Sequence, residues 1–451
     1  MFISGSVGRV YEVVCGQVRG EQYPYEQCPA RAKQRHFPMP KIPLLIAAAL
    51  IAANALGASA PLPPPPPATP VVLLTRKALD GSGGVLRDAR IAVANGKIRS
   101  LTAPATGAVI DLRGYTVMPG WIDTHVHLEL YFDKSGRIAT ENDPPAEAAL
   151  AMAGAAWDTL MAGFTTIQSV GDPNNAPLRD AIRDHGFPGP RLLTSLAPIE
   201  GPLDKTPDEL RAMVRDRKAQ GADLIKIFAS SSQRVGATPT LTEEQLRILC
   251  GEAKAVGLRS MVHVYRSQVS AAARAGCREI EHLTYATQKD IDEVVRAGAF
   301  ISPQVGLVVQ NYLENKARYL GVGNYTEAGM AIMQRDLHED FAVCSLAVHT
   351  PGAKVVFSTD ATAGAHGRNA EEFIGRVAHC GQSPMAALVS ANSVAADSIG
   401  MADKLGRLAP GYEADIIALD GDPVADLTAV RRVVFVMRGG VIYKWSGRKA
   451  P

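Results

Sequence analysis

The chain has no Cys-x-x-Cys pair, no long basic stretch and no unbroken apolar run of membrane-spanning length. Each absence removes a class of function. Six cysteines over 451 residues without close pairs give neither a zinc ribbon nor a disulfide scaffold, and Cys15 and Cys28 fall in a part of the chain expected to lie outside the mature protein. Lys plus Arg number 47 against 45 Asp plus Glu, a formal charge of +2, so nothing is laid out to track phosphates and nucleic acid is not an expected partner. The most apolar run, Ile42 to Ala53, is broken at Asn54 and falls short of the about 20 residues a membrane helix needs. No cysteine follows it to carry a lipid.

That run nevertheless has the layout of a secretory signal. Met39-Pro-Lys41 gives a positive start, Ile42 to Ala53 an apolar middle and Ala58-Ser59-Ala60 a small-x-small exit. Residues 1–38 are therefore expected to be a non-native or disordered extension, 39–60 a signal peptide and 61–70 a proline-rich linker, stiff and extended. Pro61 fits a signal protease poorly, so cleavage and retention as a membrane tether both stay open. Either way the protein is expected to be exported, periplasmic or extracellular, with its folded body starting near Val71.

An apolar content of 47% supports a sizeable core. Val71 to Thr75, Ala89 to Ala94 and Lys97 to Leu101 are strand-like, with Asn95-Gly96 as a type I′ turn. Asp415 to Leu419 and Val433 to Arg438 repeat that pattern at the far end, and Gly439-Gly440 turns into Val441 to Lys444. Residues 71–116 and 405–446 are expected to share one small β-sandwich. Between them, apolar runs predict eight strands: Trp121 to Leu128, Thr165 to Val170, Arg191 to Leu196, Leu224 to Ala229, Ser260 to Tyr265, Glu279 to Tyr285, Phe300 to Gln304 and Lys354 to Asp360. Helical periods separate them, as at Pro145 to Ala162, Pro207 to Gln220, Thr242 to Val256 and Asp290 to Ala297. Eight βα units over residues 117–404 match an α/β fold of the (β/α)8 TIM-barrel type. Asn311 to Pro351, between strands seven and eight, is long enough to carry extra helix and part of a substrate lid.

The unusual polar residues fall at the C-terminal ends of these strands. His125 and His127 are two apart, so on a strand both imidazoles leave one face and form a chelating pair. Lys226 on strand four, His263 on five, His282 on six and Asp360 on eight each interrupt an apolar run. A His-x-His alone is as well explained by two surface histidines. Four histidines, an aspartate and a lysine converging from five strands are a metal site.

The motifs Pro119-Gly-Trp-Ile-Asp-Thr-His-Val-His127, Leu224-Ile-Lys226, Val262-His263, Glu281-His282 and Ser358-Thr-Asp360 resemble those of the amidohydrolase superfamily. The likeness is greatest to its imidazolonepropionase-like branch and the prolidase-type dipeptidases, and it runs from about Val71 to Lys444. The resemblance implies two divalent metal ions, most simply Zn²⁺, with His125, His127 and Asp360 on one, His263 and His282 on the other, and Lys226 carboxylated to a bridging carbamate. It implies amide hydrolysis by a metal-activated water whose proton Asp360 carries to the leaving nitrogen. Tyr265 either donates its phenol to the developing oxyanion, as in dipeptidase-like relatives, or is an aromatic packed at the barrel mouth. His366 and Arg368 are placed either to meet a substrate carboxylate or in a solvated loop. Relatives tend to carry Arg-Asp after strand two where this chain has Gln168-Ser169, which leaves that position without an assigned role. His185, His338 and His349 are expected to be structural.

The resulting expectation is a small-molecule enzyme that cleaves a dipeptide or N-acyl amino acid, with a homo-oligomer as its form. Opening of a cyclic amide such as an imidazolone, or of a lactone, is the alternative reaction. A non-catalytic metal-binding module is disfavoured by the intact ligand set.

Overall fold

Two-residue turns shape both ends of the folded body. Asn95 and Gly96 take φ of 52° and 73°, and Gly439 and Gly440 take 55° and 79°, the left-handed pair that a type I′ turn needs. They join Arg90–Ala94 to Lys97–Ser100 and Val433–Arg438 to Val441–Trp445 as antiparallel hairpins. The first hairpin belongs to a four-stranded sheet with Val71–Leu74 and Ala108–Asp111. The second belongs to a six-stranded sheet that interleaves the chain ends: Val441–Trp445, Val433–Arg438, Ile416–Leu419, Thr116–Pro119, Lys77–Leu79 and Val85–Arg87. Between the sheets lie Leu73, Ile91, Ile98, Val117, Ile416 and Phe435, all buried.

This computed structural model describes residues 70–104, 107–139 and 143–446. The extension, the signal peptide and the linker up to residue 69 lie outside the described residues. Among the described residues, no helix is long and apolar enough to cross a membrane.

All eight central strands form: Trp121–Val126, Phe164–Ser169, Arg191–Thr194, Leu224–Phe228, Arg259–Val264, Glu279–His282, Phe300–Ser302 and Lys354–Val355. The first three pair in parallel, as do the last five. Two seams close them into a barrel. At one, Asp223 N donates to Thr194 O at 2.8 Å, and a short strand, Ile199–Glu200, pairs with Ile227 and Phe228. At the other, Asp360 N donates to His125 O and His127 N to Ala361 O, both at 2.8 Å. The eighth strand is much shorter than Lys354 to Asp360. Past Val356, whose N still donates to Ile301 O, its amides turn to scattered partners, Phe357 N to Ser390 O and Thr359 N to the Asp123 carboxylate, so the ladder ends while the chain still tracks the barrel.

Helices cover the barrel where the 3.6-residue period places them. Thr206 and Thr242 each make a capping box that starts Pro207–Ala219 and Glu243–Ala255, satisfying N–H groups that have no partner within the helix. Leu246 and Leu249 from the second of these pack with Val262 and Ile280 of the strands. The long connection after strand seven holds Val308–Glu314, Lys316–Tyr319 and Glu327–His349.

The cysteine expectation is corrected. Cys250 bonds Cys277 and Cys344 bonds Cys380. The partners are 27 and 36 residues apart and meet because adjacent helical segments pack together. No local cysteine spacing announces such a pair.

Candidate active site

Trp121–Val126 is buried at every position, and it delivers His125 and, just beyond its end, His127 to the mouth of the barrel. Their Nε2 atoms stand 3.2 Å apart. Asp360 Oδ1 lies 3.3 Å from His125 Nε2 and 3.2 Å from His127 Nε2, so three ligand-type atoms share one small volume. The Lys226 Nζ is 3.0 Å from His125 Nε2 on a side chain only 1% exposed. His263 and His282 complete the group, with ring centroids 4.4 Å apart and His282 5.6 Å from His125. His282 and Asp360 reach these places with φ of 69° and 52°, a region that side-chain-bearing residues rarely adopt and that clusters at functional sites.

The outer nitrogens of the first pair are tied down. His125 Nδ1 donates to Glu281 Oε2 at 2.7 Å and His127 Nδ1 donates to Glu129 Oε1 at 2.6 Å. This points both Nε2 atoms inward, the orientation a metal ligand needs. Glu281 Oε2 is held in turn by Ser302 Oγ and Gln304 Nε2, each at 2.6 Å. Asp123 accepts from Thr359 Oγ1 at 2.6 Å and Asn369 Nδ2 at 2.8 Å, fixing the segment that ends in Asp360. His263 is the contrast. Both of its ring nitrogens are buried and have no hydrogen-bond partner, a state that is unfavourable unless something else coordinates them.

Electrostatics agree with this arrangement. Burial holds His125, His263 and His282 well below the usual imidazole range, so each keeps a lone pair at neutral pH. Burial also disfavours charge on His127, but Glu129 and Asp360 outweigh it and hold that ring at about 9, so an ion there would have to displace its Nε2 proton. Burial pulls the Lys226 amine down against Glu281 and Asp360. It pushes the Glu281 carboxyl up to about 7. Asp360 would also be raised by burial, yet His125 and His127 keep it below the usual carboxylate range. The fit to divalent cations is good: imidazole lone pairs, a carboxylate and an amine converge, with no other partner for His263.

Above the cluster opens a cavity of about 540 Å³. Tyr265 lines it, edge-on to His263 at 4.9 Å between centroids.

The comparisons with known proteins converge on one family. The model of the amidohydrolase family matches residues 116–443. The chain belongs to that family. Ochratoxinase from Aspergillus niger is 25% identical over 378 residues, 73% of this chain and 76% of that protein. Imidazolonepropionase from Deinococcus deserti is 25% identical over 386 residues, 78% of this chain and 88% of its own. A solved Xaa-Pro dipeptidase with methionine bound in its active site superposes with a TM-score of 0.75 at 27% identity, covering 83% of this chain and all of its own. This amidohydrolase is accordingly a hydrolase acting on carbon–nitrogen bonds.

Two of the residues considered for substrate lie outside the cavity. His366 is half-buried and its Nε2 donates to the main-chain oxygen of His127 at 3.1 Å, so it braces the metal-type pair from behind. Arg368 pairs with Glu314 at 2.7 Å, and the expectation that either meets a substrate carboxylate is corrected: neither lines the cavity around the histidines. Both sit in the turn after strand eight, and its course carries them past the mouth. His185, His338 and His349 are exposed, and none of them lines the cavity. Gln168 and Ser169 gain a role. Gln168 Nε2 donates to Thr124 O at 3.0 Å, and Ser169 Oγ accepts from Leu128 N at 3.1 Å, so both brace the first strand.

Four contributors escape a reading of the sequence. Glu129 extends the His-x-His by the same two-residue step, a signal that was there to be used. Glu281 stands beside His282 in a motif where it passes for a flank. Gly171 is visible only in space: a Cβ there would lie 1.8 Å from Glu129 Oε1 and 2.8 Å from His127 Nδ1. Arg234 enters the cavity from the turn Gln233–Val235, with nothing in its local sequence to mark it.

Proposed function

We propose that this amidohydrolase is a binuclear zinc enzyme that hydrolyses the amide bond of a dipeptide or N-acyl amino acid. The observation that carries the reading is the convergence of His125 Nε2, His127 Nε2 and Asp360 Oδ1 within 3.3 Å beside a buried, unpartnered His263. His125, His127 and Asp360 would hold one ion, and His263 and His282 a second. Lys226, carboxylated on Nζ by CO₂, would supply a further anionic ligand, and a carbamate would also relieve the burial of a cationic ammonium. When bound, the ions supply Lewis acidity and a water acidic enough to attack at neutral pH.

The chain does the rest. Asp360 accepts the proton of the attacking water and returns it to the leaving nitrogen. Tyr265 presents its phenol to the oxygen of the scissile carbonyl as negative charge builds there. Glu129 and Glu281 keep the two ligand imidazoles in one tautomer throughout. Support for an amino-acid product comes from the solved dipeptidase relative, which carries methionine in its active site. The likeness to imidazolonepropionase keeps cyclic amides in the test.

We also propose export. The two disulfides support it, since such bonds persist in oxidising compartments.

The test is a screen of the purified protein against dipeptides, N-acyl amino acids and cyclic amides, before and after chelation. Hydrolysis of the linear amides, lost with chelator and restored by Zn²⁺, is the expected result. Metal analysis finding no ion in fully active protein would remove the metal reading, and turnover of cyclic amides alone would replace the substrate class.

A further inference from the structure

Arg234 is a cation in the cavity with no ion-pair partner among the described residues. Its Nε donates to Asn324 Oδ1 at 2.8 Å and its Nη1 lies 3.7 Å from Met333 Sδ. The guanidinium carbon stands 4.2 Å from the centroid of Tyr325 and 5.2 Å from that of Tyr312. Among the described residues no carboxylate reaches ion-pair distance of it. Aromatic faces hold a guanidinium by its plane and leave the in-plane N–H groups to bond elsewhere. Here Nη2 has no partner among the described residues, on a side chain that lines the same cavity as the histidine cluster.

The setting is built to hold the group in place. The helix Glu327–His349 presses on the turn that carries Arg234, and it does so at Gly329, where a Cβ would stand 3.0 Å from Arg234 Cβ and 3.1 Å from Asn324 O. Thr326 caps this helix through Gly329 N, fixing that contact. Ser230, from the same loop after strand four, adds a buried hydroxyl with no partner to the cavity lining. A guanidinium clamped between tyrosines, with free donors and a spare hydroxyl nearby, suits a planar anion that takes two parallel hydrogen bonds. Arg368 cannot serve in its place, since Glu314 already neutralises it outside the cavity.

We propose that Arg234 is the specificity residue for substrate charge, binding the free carboxylate of the amino-acid half while the scissile amide lies at the histidine cluster. This rests on the amide-hydrolase reading of that cluster. It makes the enzyme selective for acids over the corresponding carboxamides. A carboxamide carries no charge to match the guanidinium and brings an NH₂ against its N–H donors.

The experiment compares one N-acyl amino acid with its C-terminal carboxamide in the wild type, Arg234→Met and Arg234→Lys. The wild type is expected to favour the acid by about 100-fold in kcat/KM, the range for leaving a buried polar group unmatched. Arg234→Met should lose most of that preference, mainly through a higher KM for the acid with kcat little changed. Arg234→Lys should regain part of it. The ratio is internal to each enzyme, so a poorly folded variant lowers both rates and leaves it readable. A wild type that treats acid and carboxamide alike, or an Arg234→Met enzyme that keeps the wild-type ratio, overturns the role of Arg234 and leaves amide hydrolysis standing. If neither compound is turned over, the substrate class fails instead. Calorimetric binding of the free amino acid and its amide then decides Arg234: equal affinities refute it, and tighter binding of the acid that Arg234→Met abolishes supports it.

Discussion

At the scale of single residues, the site is a set of ligand-type side chains whose orientation is set one bond further out. The Nε2 atoms of His125 and His127 face inward because Glu281 and Glu129 hold the opposite nitrogens, and Glu129 has room only because residue 171 has no side chain. Gly171→Ala is therefore expected to push Glu129 off His127 and weaken metal binding by about 10- to 100-fold, the usual effect of disturbing a ligand's hydrogen-bond partner. Competition against a chelator of known strength reads this directly, and a Gly171→Ala enzyme with wild-type affinity would show that Glu129 does not matter. The ligand-type residues were legible in the sequence because each is a polar interruption of an apolar strand. Their supports were not: Gly171, Gln304 and Ser302 look like ordinary residues until the strands are side by side. Arg234 was hidden for the same reason, and His366 and Arg368 looked apt only because they follow Asp360 closely in sequence.

At the scale of elements, strand ends do the positioning and helix contacts do the fastening. All eight barrel strands fall where the apolar runs place them, since burial on both faces demands such runs. The eighth is shortened because its later amides find partners off the ladder. The disulfides belong to the same scale. Cys344 on Glu327–His349 and Cys380 at the end of Glu371–Cys380 join the helix that presses on Arg234 to the helix following the Asp360 loop. Closing loops of this length stabilises by about 3 kcal/mol each in the chain-entropy model. Replacing Cys344 and Cys380 together by serine is expected to lower Tm by about 5 °C or more, and reductant should do the same to the wild type. Four free thiols in native protein, found by thiol titration, would contradict the pairing.

At the scale of the whole molecule, the chain leaves a sandwich at Pro119, runs once round a barrel and returns to the same sandwich at Ile416, its return strand pairing with the departure strand Thr116–Pro119. The strands of the described sheets begin at Val71, and the N-terminal segment has the pattern of an export signal. A chain starting near Ala68 should fold and hydrolyse substrate like the full chain, and fractionation should find the native enzyme outside the cytoplasm. An intact Met39 start in soluble cytoplasmic protein would refute export. The sequence by itself determined the strand and helix order, the barrel class and the six ligand-type residues, because each follows from local periodicity and from polar groups set in apolar runs. The tertiary structure alone decided that Glu281 orients His125, which cysteines pair and which arginine faces the cavity. Those depend on groups brought together from distant parts of the chain, and no local spacing encodes such a meeting.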